Sequence, residues 1–235
     1  MHDSQPEASP FGDLRLDDFS QALASAEPVP GGGSASAVAA ALGASLVAMV
    51  ARLSTGRPKY AAHEDLLTWA IETGDLLRTR FLELADEDAA SYAAFGAAMK
   101  LPRDTEEQVT ARRQAMSDAA RLAAEVPLAC VELCVTLVGA AEALAGRSNA
   151  NASSDLNVAA LLGEAAAKGA AANVLVNLPS IADPEYRGVL TSRVGALLHD
   201  IERQASDTRE AVGDGSPREA LPPFEPSGPD DADRA

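Results

Sequence analysis

One carboxylate interrupts an otherwise apolar or small-residue repeat in the first half of the chain. Leu67, Gly74, Phe81, Asp88 and Phe95 are seven residues apart, and positions 70, 77, 84, 91 and 98 complete the same stripe. This spacing predicts a long helix with a buried seam. An aspartate in that seam loses hydration, which raises its pKa towards the range useful for general acid or base catalysis. The competing interpretation of Asp88 is an ion pair with a buried arginine or lysine.

A glycine loop precedes an apolar helical segment. Gly31, Gly32 and Gly33 can present backbone N–H groups to an anion at the start of that helix, and Ser34 is placed to act as its N-cap. The loop lacks the lysine and the preceding strand of a nucleotide-binding P-loop. A simple connector between helices is therefore an equal alternative to a ligand-binding loop.

Two polar groups lie in the second half of the chain. Asn149, Ser154 and Asp155 precede an apolar helix, where they can hydrogen-bond a polar heterocycle or simply cap the helix. Asn173 and Asn177 are four residues apart and share one helical face, which fits either ligand contact or a hydrogen bond between helices.

Positive charge is concentrated after the first long apolar helix. Arg57 and Lys59 follow it and can meet the carboxylates of an anionic substrate, although solvated loop residues are the default interpretation. The net charge of the whole chain is -16, which disfavours nucleic acid and anionic membrane surfaces as partners. With three histidines and two cysteines, Cys130 and Cys134, that read as buried core residues, no metal site is expected.

Apolar periodicity and helix punctuation indicate the fold. Helical spacing runs from Ser34 to about Thr55, His63 to Lys100, Thr105 through Pro127 to Gly146, Asp155 to Leu178, and Asp183 to about Ala211. Pro127 is expected to kink or restart its helix. These segments predict an all-α bundle of five to six long, mostly antiparallel helices in residues 15–212. Residues 1–14 and 213–235 are predicted to be flexible, acidic tails.

The amino terminus lacks the basic start and the apolar run of a secretory signal, so a cytoplasmic protein is expected. The stretch from Ala35 to Ala51 comes nearest to a membrane span, but it is rich in alanine, contains Ser36 and Ser45, and ends at Arg52. A buried helix explains it better. Because the small-residue helices are too apolar for a solvated face, a homodimer is also expected.

Seven motifs in register resemble the cyclodeaminase/cyclohydrolase family over about residues 15–210. The motifs are Pro30-Gly31-Gly32-Gly33-Ser34, Gly56-Arg57-Pro58-Lys59-Tyr60, Asp86-Glu87-Asp88-Ala89, Lys100-Leu101-Pro102, Val126-Pro127-Leu128, Asn149 to Asp155, and Asn173 to Leu178. The resemblance implies an all-helical dimer that binds tetrahydrofolate derivatives, with or without a polyglutamate tail, and needs no tightly bound cofactor.

The resemblance also implies functional roles for these residues. The family's catalytic aspartate matches Asp88, and its folate site matches Gly31, Gly32, Gly33, Ser34, Lys59, Asn149, Ser154, Asp155, Asn173 and Asn177. Asn151 competes with Asn149, because a serine stands where relatives often have glycine. Only a short tail precedes the domain, which favours the stand-alone methenyltetrahydrofolate cyclohydrolase. Formimidoyltetrahydrofolate cyclodeaminase and a non-catalytic folate-binding protein are the alternatives.

Overall fold

Six α-helices make up most of the part of the chain that the structure, a computed structural model, describes, namely residues 9–221. The helices are α1 (Leu16–Leu23), α2 (Gly32–Arg52), α3 (Glu64–Met99), α4 (Glu106–Leu144), α5 (Ser153–Asn177) and α6 (Pro184–Asp214). Short 3-10 turns, but no strands, accompany these helices within the described residues. The predicted all-α bundle is confirmed.

Helix α2 lies at the centre of the bundle, between α3 and α5. Its small residues allow the neighbouring backbones to come close. A Cβ atom on Gly74 of α3 would lie 2.8 Å from the carbonyl oxygen of Ala44 in α2, and one on Gly43 of α2 would lie 3.1 Å from the carbonyl oxygen of Ala159 in α5. The buried face of α2 is made mostly of alanine, glycine and serine, together with Val47 and Val50, whereas Leu42 on the opposite face is 53% exposed.

Helix α4 continues through Pro127 without interruption, which corrects the expectation of a restart. Proline has no N–H group, so the carbonyl oxygen of Ala123, four residues earlier, loses its helical donor. The side-chain amide of Asn177 donates a hydrogen bond to that oxygen at 2.9 Å. A hydrogen bond from α5 thus replaces the missing backbone bond of α4.

The helix ends match most of the capping predictions. Thr105 and Gln108 form a complete capping box, and the Asp183 carboxylate accepts from the N–H groups of Glu185 and Tyr186. The prediction of Ser34 as an N-cap is wrong, because the helix begins at Gly32 with Gly31 as its N-cap. Gly33, which has no side chain, fits the crowded first turn, and Ser34 lies inside the helix.

Parts of both predicted tails pack on the bundle. In the N-terminal region, Phe11 donates its N–H to Asp86 at 2.8 Å, whereas residues 1–8 lie outside the described residues. In the C-terminal region, the N–H of Arg218 donates to the carbonyl oxygen of Gly146 at 2.9 Å, and residues 222–235 lie outside the described residues. The ends of the packed domain therefore extend somewhat beyond residues 15–212.

Within residues 9–221, three apolar helical segments are long enough to cross a membrane by length and composition alone: Gly32–Arg52, Glu106–Leu144 and Ala150–Ser180. The most apolar parts of these segments are 56%, 56% and 44% buried inside the bundle. The three segments pack against one another, so much of their apolar surface contacts protein. Cys130 and Cys134 are buried in the same core, as the sequence predicts.

Candidate active site

Asp88 lies where α3 crosses the first turn of α2. The Ser34 hydroxyl oxygen is 3.0 Å from Asp88 Oδ2 and also 3.0 Å from the backbone carbonyl oxygen of Ala85. A Cβ atom on Gly33 would lie only 2.1 Å from Asp88 Oδ1. The carboxylate therefore occupies the space that any side chain at position 33 would fill, and the third glycine of the loop is a steric requirement of this site.

The surroundings of Asp88 perturb its protonation. Burial raises the pKa of this carboxyl group above its ordinary value, and hydrogen bonds from the side chain and backbone of Ser34 oppose part of that rise. Within residues 9–221, no arginine or lysine forms an ion pair with Asp88. Arg80, which lies on the same helix, pairs with the adjacent acid Glu87 instead. The group is half-buried, so it keeps an opening to a ligand.

Asn173 extends this polar group from α5. Its side-chain nitrogen donates to the carbonyl oxygen of Gly169 at 2.9 Å and lies beside Gly32, 3.6 Å from where a Cβ would be. Ser36 packs against Gly169, where a Cβ would come within 2.4 Å of its hydroxyl oxygen. Asp88, the glycine loop and Asn173 thus form one cluster, which we call the Asp88 site.

Asn177 has a mainly structural environment. Its amide nitrogen bonds to the carbonyl oxygens of Ala123 and Asn173, each at 2.9 Å. The sequence left two roles open for Asn177, ligand contact and a hydrogen bond between helices. The structure contains the hydrogen bond between helices. A direct ligand contact by Asn177 stays a prediction.

A second polar cluster lies at the other end of α2. The N–H of Asn149 donates to Ser54 Oγ at 2.8 Å, and its side chain accepts from the N–H of Asn151 at 3.1 Å. The N–H of Ala150 donates to the Tyr60 hydroxyl at 3.3 Å. These bonds fix the loop, and they make the Asn149 side chain a cap for the following turn.

A cavity of about 340 Å³ opens beside that loop. Lys59, His63 and Ser153 line it together with Gly215 and Ser216 of the C-terminal segment. The Lys59 ammonium lies 5.4 Å from the centre of the Tyr60 ring. Burial and the nearby Arg147 guanidinium lower the pKa of His63, and its Nδ1 is a buried atom without a hydrogen-bond partner. We call this the Lys59 cavity.

The remaining predicted ligand residues lie near the same end. Arg57 and Ser154 are exposed, whereas Asp155 is half-buried in the first turn of α5. Because α2 has 21 residues and rises by about 1.5 Å per residue, the Asp88 site and the Lys59 cavity are roughly 30 Å apart. Within one chain, the residues predicted to form a single folate site therefore form two groups.

Several residues of these clusters were missed from the sequence. Ser54, Tyr60 and His63 support or line the second cluster, and Gly169 shapes the first. Tyr60 belongs to the motif Gly56 to Tyr60, so the motif could have identified it as a site residue. No sequence motif marks Ser54, His63 or Gly169. Residues 9–221 contain no group of three or more His, Cys, Asp or Glu side chains placed to hold a metal ion.

Comparisons with known proteins show which family this chain is similar to. The family described as formiminotransferase-cyclodeaminase matches residues 15–196. A methenyltetrahydrofolate cyclohydrolase of Methylorubrum extorquens is 37% identical over 80% of this chain and 90% of its own length. The pig formimidoyltransferase-cyclodeaminase is 34% identical over 86% of this chain, but the match spans 38% of that longer protein.

A solved structure shares the fold. The crystal structure of a formiminotetrahydrofolate cyclodeaminase from Thermotoga maritima superposes with a TM-score of 0.79 and 26% sequence identity. The match covers 86% of this chain and 98% of the other. The resemblance noted from seven short motifs is therefore confirmed over most of the helical bundle.

Proposed function

Because the chain belongs to the formiminotransferase-cyclodeaminase family, we propose that it is an enzyme that hydrolyses 5,10-methenyltetrahydrofolate to 10-formyltetrahydrofolate. The cyclohydrolase relative supports this choice, since the two proteins match over most of both lengths. The observation that carries the proposal is the Asp88 carboxylate, packed against the bare backbone of Gly33 with its hydration reduced. Such a carboxylate can accept a proton near neutral pH.

In the proposed mechanism, water attacks the methenyl carbon that bridges N5 and N10. Asp88 accepts a proton from that water, and the same proton is available for N5 when the C–N5 bond breaks. The hydroxyl group formed on the former methenyl carbon loses its proton to solvent as the formyl C=O forms, so one proton is released per turnover. In the first turn of α2 the backbone of Ser34 bonds Asp88, whereas the N–H groups of Gly32 and Gly33 have no acceptor within the helix and can donate to the ligand beside the reacting group. The bridging carbon is already an electrophilic iminium centre, so we propose that the reaction needs no metal and no tightly bound cofactor. Turnover that survives prolonged dialysis against a chelator would support this part.

The decisive experiment compares Asp88→Asn with wild type. We expect turnover of methenyltetrahydrofolate, followed by the loss of its absorbance, to fall by about 100-fold or more, the usual range for a general base. Asp86→Asn is the matched control, because Asp86 lies two residues away and bonds the N–H of Phe11, a bond that asparagine retains. Wild-type turnover in Asp88→Asn would refute the assignment.

Formimidoyltetrahydrofolate cyclodeaminase is the second candidate function, favoured by the Thermotoga structure that shares the fold. There N10 would attack the formimino carbon, and a protonated Asp88 would supply the proton for departing ammonia. Side-by-side assays of the two folates with one protein preparation separate these activities. Binding of both folates without turnover of either would instead identify a non-catalytic folate-binding protein.

The anionic tail of the substrate needs cationic partners. Although the chain as a whole is acidic, Arg57 and Lys59 provide positive charge near the Lys59 cavity. We propose that Arg57 and Lys59 bind the glutamate carboxylates, and that Asn149, Ser154 and Asp155 contact the polar part of the ligand. Both cationic side chains are exposed and free to reach a ligand. Replacing both with alanine should raise KM more than it lowers kcat, whereas a loss confined to kcat would oppose a binding role.

A homodimer is proposed because a large apolar face remains uncovered in the single chain. Leu42 of α2 and Val158 and Leu161 of α5 are 53%, 44% and 46% exposed. Val38 and Leu46, one turn either side of Leu42, are only partly buried. Exposed apolar residues grouped in this way are typical of protein interfaces. A second copy of the chain is the proposed occupant.

The separation of the two clusters also favours a dimer. Leu42 lies at the middle of α2, so a two-fold axis passing beside it would exchange the ends of the helix between copies. The Asp88 site of one subunit would then approach the Lys59 cavity of its partner. In that arrangement each folate is bound by both subunits, and the roughly 30 Å gap within one chain no longer separates the two halves of the site.

Leu42→Glu tests this assembly. It should convert a dimer to a monomer in sedimentation analysis and reduce turnover by at least about tenfold, because each site loses half of its contacts. Leu76→Glu is the control, since Leu76 is 70% exposed but belongs to α3, and not to α2 or α5, whose residues form the proposed interface. A wild-type monomer at micromolar concentration would contradict the proposal.

A cytoplasmic location is proposed as well, and recovery of the protein in the membrane fraction would contradict it.

A further inference from the structure

The Ser34 hydroxyl has one proton and two acceptors within reach. Asp88 Oδ2 and the Ala85 carbonyl oxygen are each 3.0 Å from its oxygen. Ser34 is fully buried, so water does not supply an alternative partner. A hydroxyl donates one hydrogen bond and accepts up to two. At any moment it therefore donates to one of these two oxygens and can accept from the other group only if that group carries a proton.

The protonation state of Asp88 decides between the two acceptors. An ionised carboxylate is the stronger acceptor, so the hydroxyl donates to Oδ2. When Oδ2 carries a proton, its own O–H can donate to the Ser34 oxygen, and the serine proton can turn to Ala85. Only the hydroxyl proton rotates, and the two 3.0 Å separations suit both arrangements.

We propose that Ser34 is a positioning residue that holds the Asp88 carboxyl group in one place in both of its protonation states. This inference rests on the proposed function, since it assigns the first-turn serine a role through Asp88 and not through the folate. The backbone supports the arrangement: Gly33 leaves room for the carboxylate, and Ser34 follows it in the same rigid turn of α2.

Charged side chains near Asp88 do not account for its position or its pKa. Within residues 9–221, Glu87 pairs with Arg80 on α3, and Lys168 of α5 pairs with Glu164 and Glu202. Asp86, also on α3, accepts the Phe11 N–H, and the first two turns of α2 carry no charged side chain. Burial raises the pKa of Asp88, and the hydrogen bonds that oppose this rise both come from Ser34.

Ser34→Ala tests the inference through the titration of Asp88 itself. Infrared difference spectra between each protein and its Asp88→Asn derivative isolate the carboxyl band and require no substrate. Ser34→Ala loses the bond in both states, but the bond to the ionised carboxylate is the stronger one, so the titration midpoint should move upward by about one pH unit. The acidic limb of the pH–rate profile should move in the same direction. Ser34→Thr, which retains the hydroxyl, should restore both midpoints.

Ser45→Ala is the matched control, because Ser45 lies on the same helix and bonds only the backbone of Ala41, at 2.8 Å. It should leave both midpoints unchanged. A midpoint that stays constant or falls in Ser34→Ala would overturn the inference, even if turnover decreases. If wild type turns over neither folate, the proposed function fails, while the infrared titration still decides whether Ser34 holds Asp88.

Discussion

Replacing Gly33 with alanine places a methyl group where the Asp88 carboxylate now lies. The new Cβ would be 2.1 Å from Oδ1, 2.5 Å from Cγ and 2.6 Å from Oδ2. Such contacts need at least about 3.0 Å, so the carboxylate must retreat by about 0.9 Å or α2 must move. A displacement of about 1 Å at a reacting group costs about 100-fold in rate. We therefore expect kcat for the methenyl substrate to fall by about two orders of magnitude.

The stability of Gly33→Ala should change much less than its activity. Alanine favours a helix over glycine by about 1 kcal/mol, whereas overpacking costs about 1–3 kcal/mol, so the two effects largely offset each other. Thermal unfolding followed by circular dichroism measures the net effect. The expected melting temperature is equal to wild type or lower by up to about 8 °C, given about 2–4 °C per kcal/mol for a chain of this size.

Gly195→Ala is the matched control for this substitution. Gly195 is exposed within α6, and a Cβ there would meet nothing within 4 Å. It should raise the melting temperature by about 2–4 °C and leave kcat unchanged. If Gly33→Ala keeps wild-type kcat, the close packing of Asp88 on this glycine does not matter for catalysis, and the steric reasoning is refuted.

Two further predictions concern stability. Because burial raises the pKa of Asp88 in the folded protein, ionisation destabilises the fold as pH rises through that pKa, and the cost is absent below the unfolded value. Asp88→Asn should therefore melt above wild type at pH 7 and match it near about pH 3; a gap that widens on acidification would contradict this. Asn177→Ala leaves the Ala123 carbonyl oxygen unpaired and should cost about 1–3 kcal/mol in urea unfolding. The same change should cost less in a Pro127→Ala background, where residue 127 regains its N–H; equal costs would show that the two sites are not coupled.

The sequence was sufficient where the signal is local. The seven-residue repeat placed Asp88 in the α3 seam, and capping residues such as Thr105 and Asp183 marked where helices begin. These features depend on residues within a few turns of each other, whose geometry is fixed by the helix itself. The spacing of residues along one helix was therefore enough to predict the position of Asp88 and the starts of these helices.

Tertiary structure decided what the repeat leaves open. It turned the small face of α2 inward and left Leu42 exposed, and it assigned Asn177 to the carbonyl group freed by Pro127. It also separated Lys59 and Asn149 from Asp88 by the length of a helix. These outcomes depend on how closely two backbones approach and on which residues then face each other. The approach of two backbones is set by the volumes of side chains that are far apart in the sequence. A repeat within one helix does not contain that information.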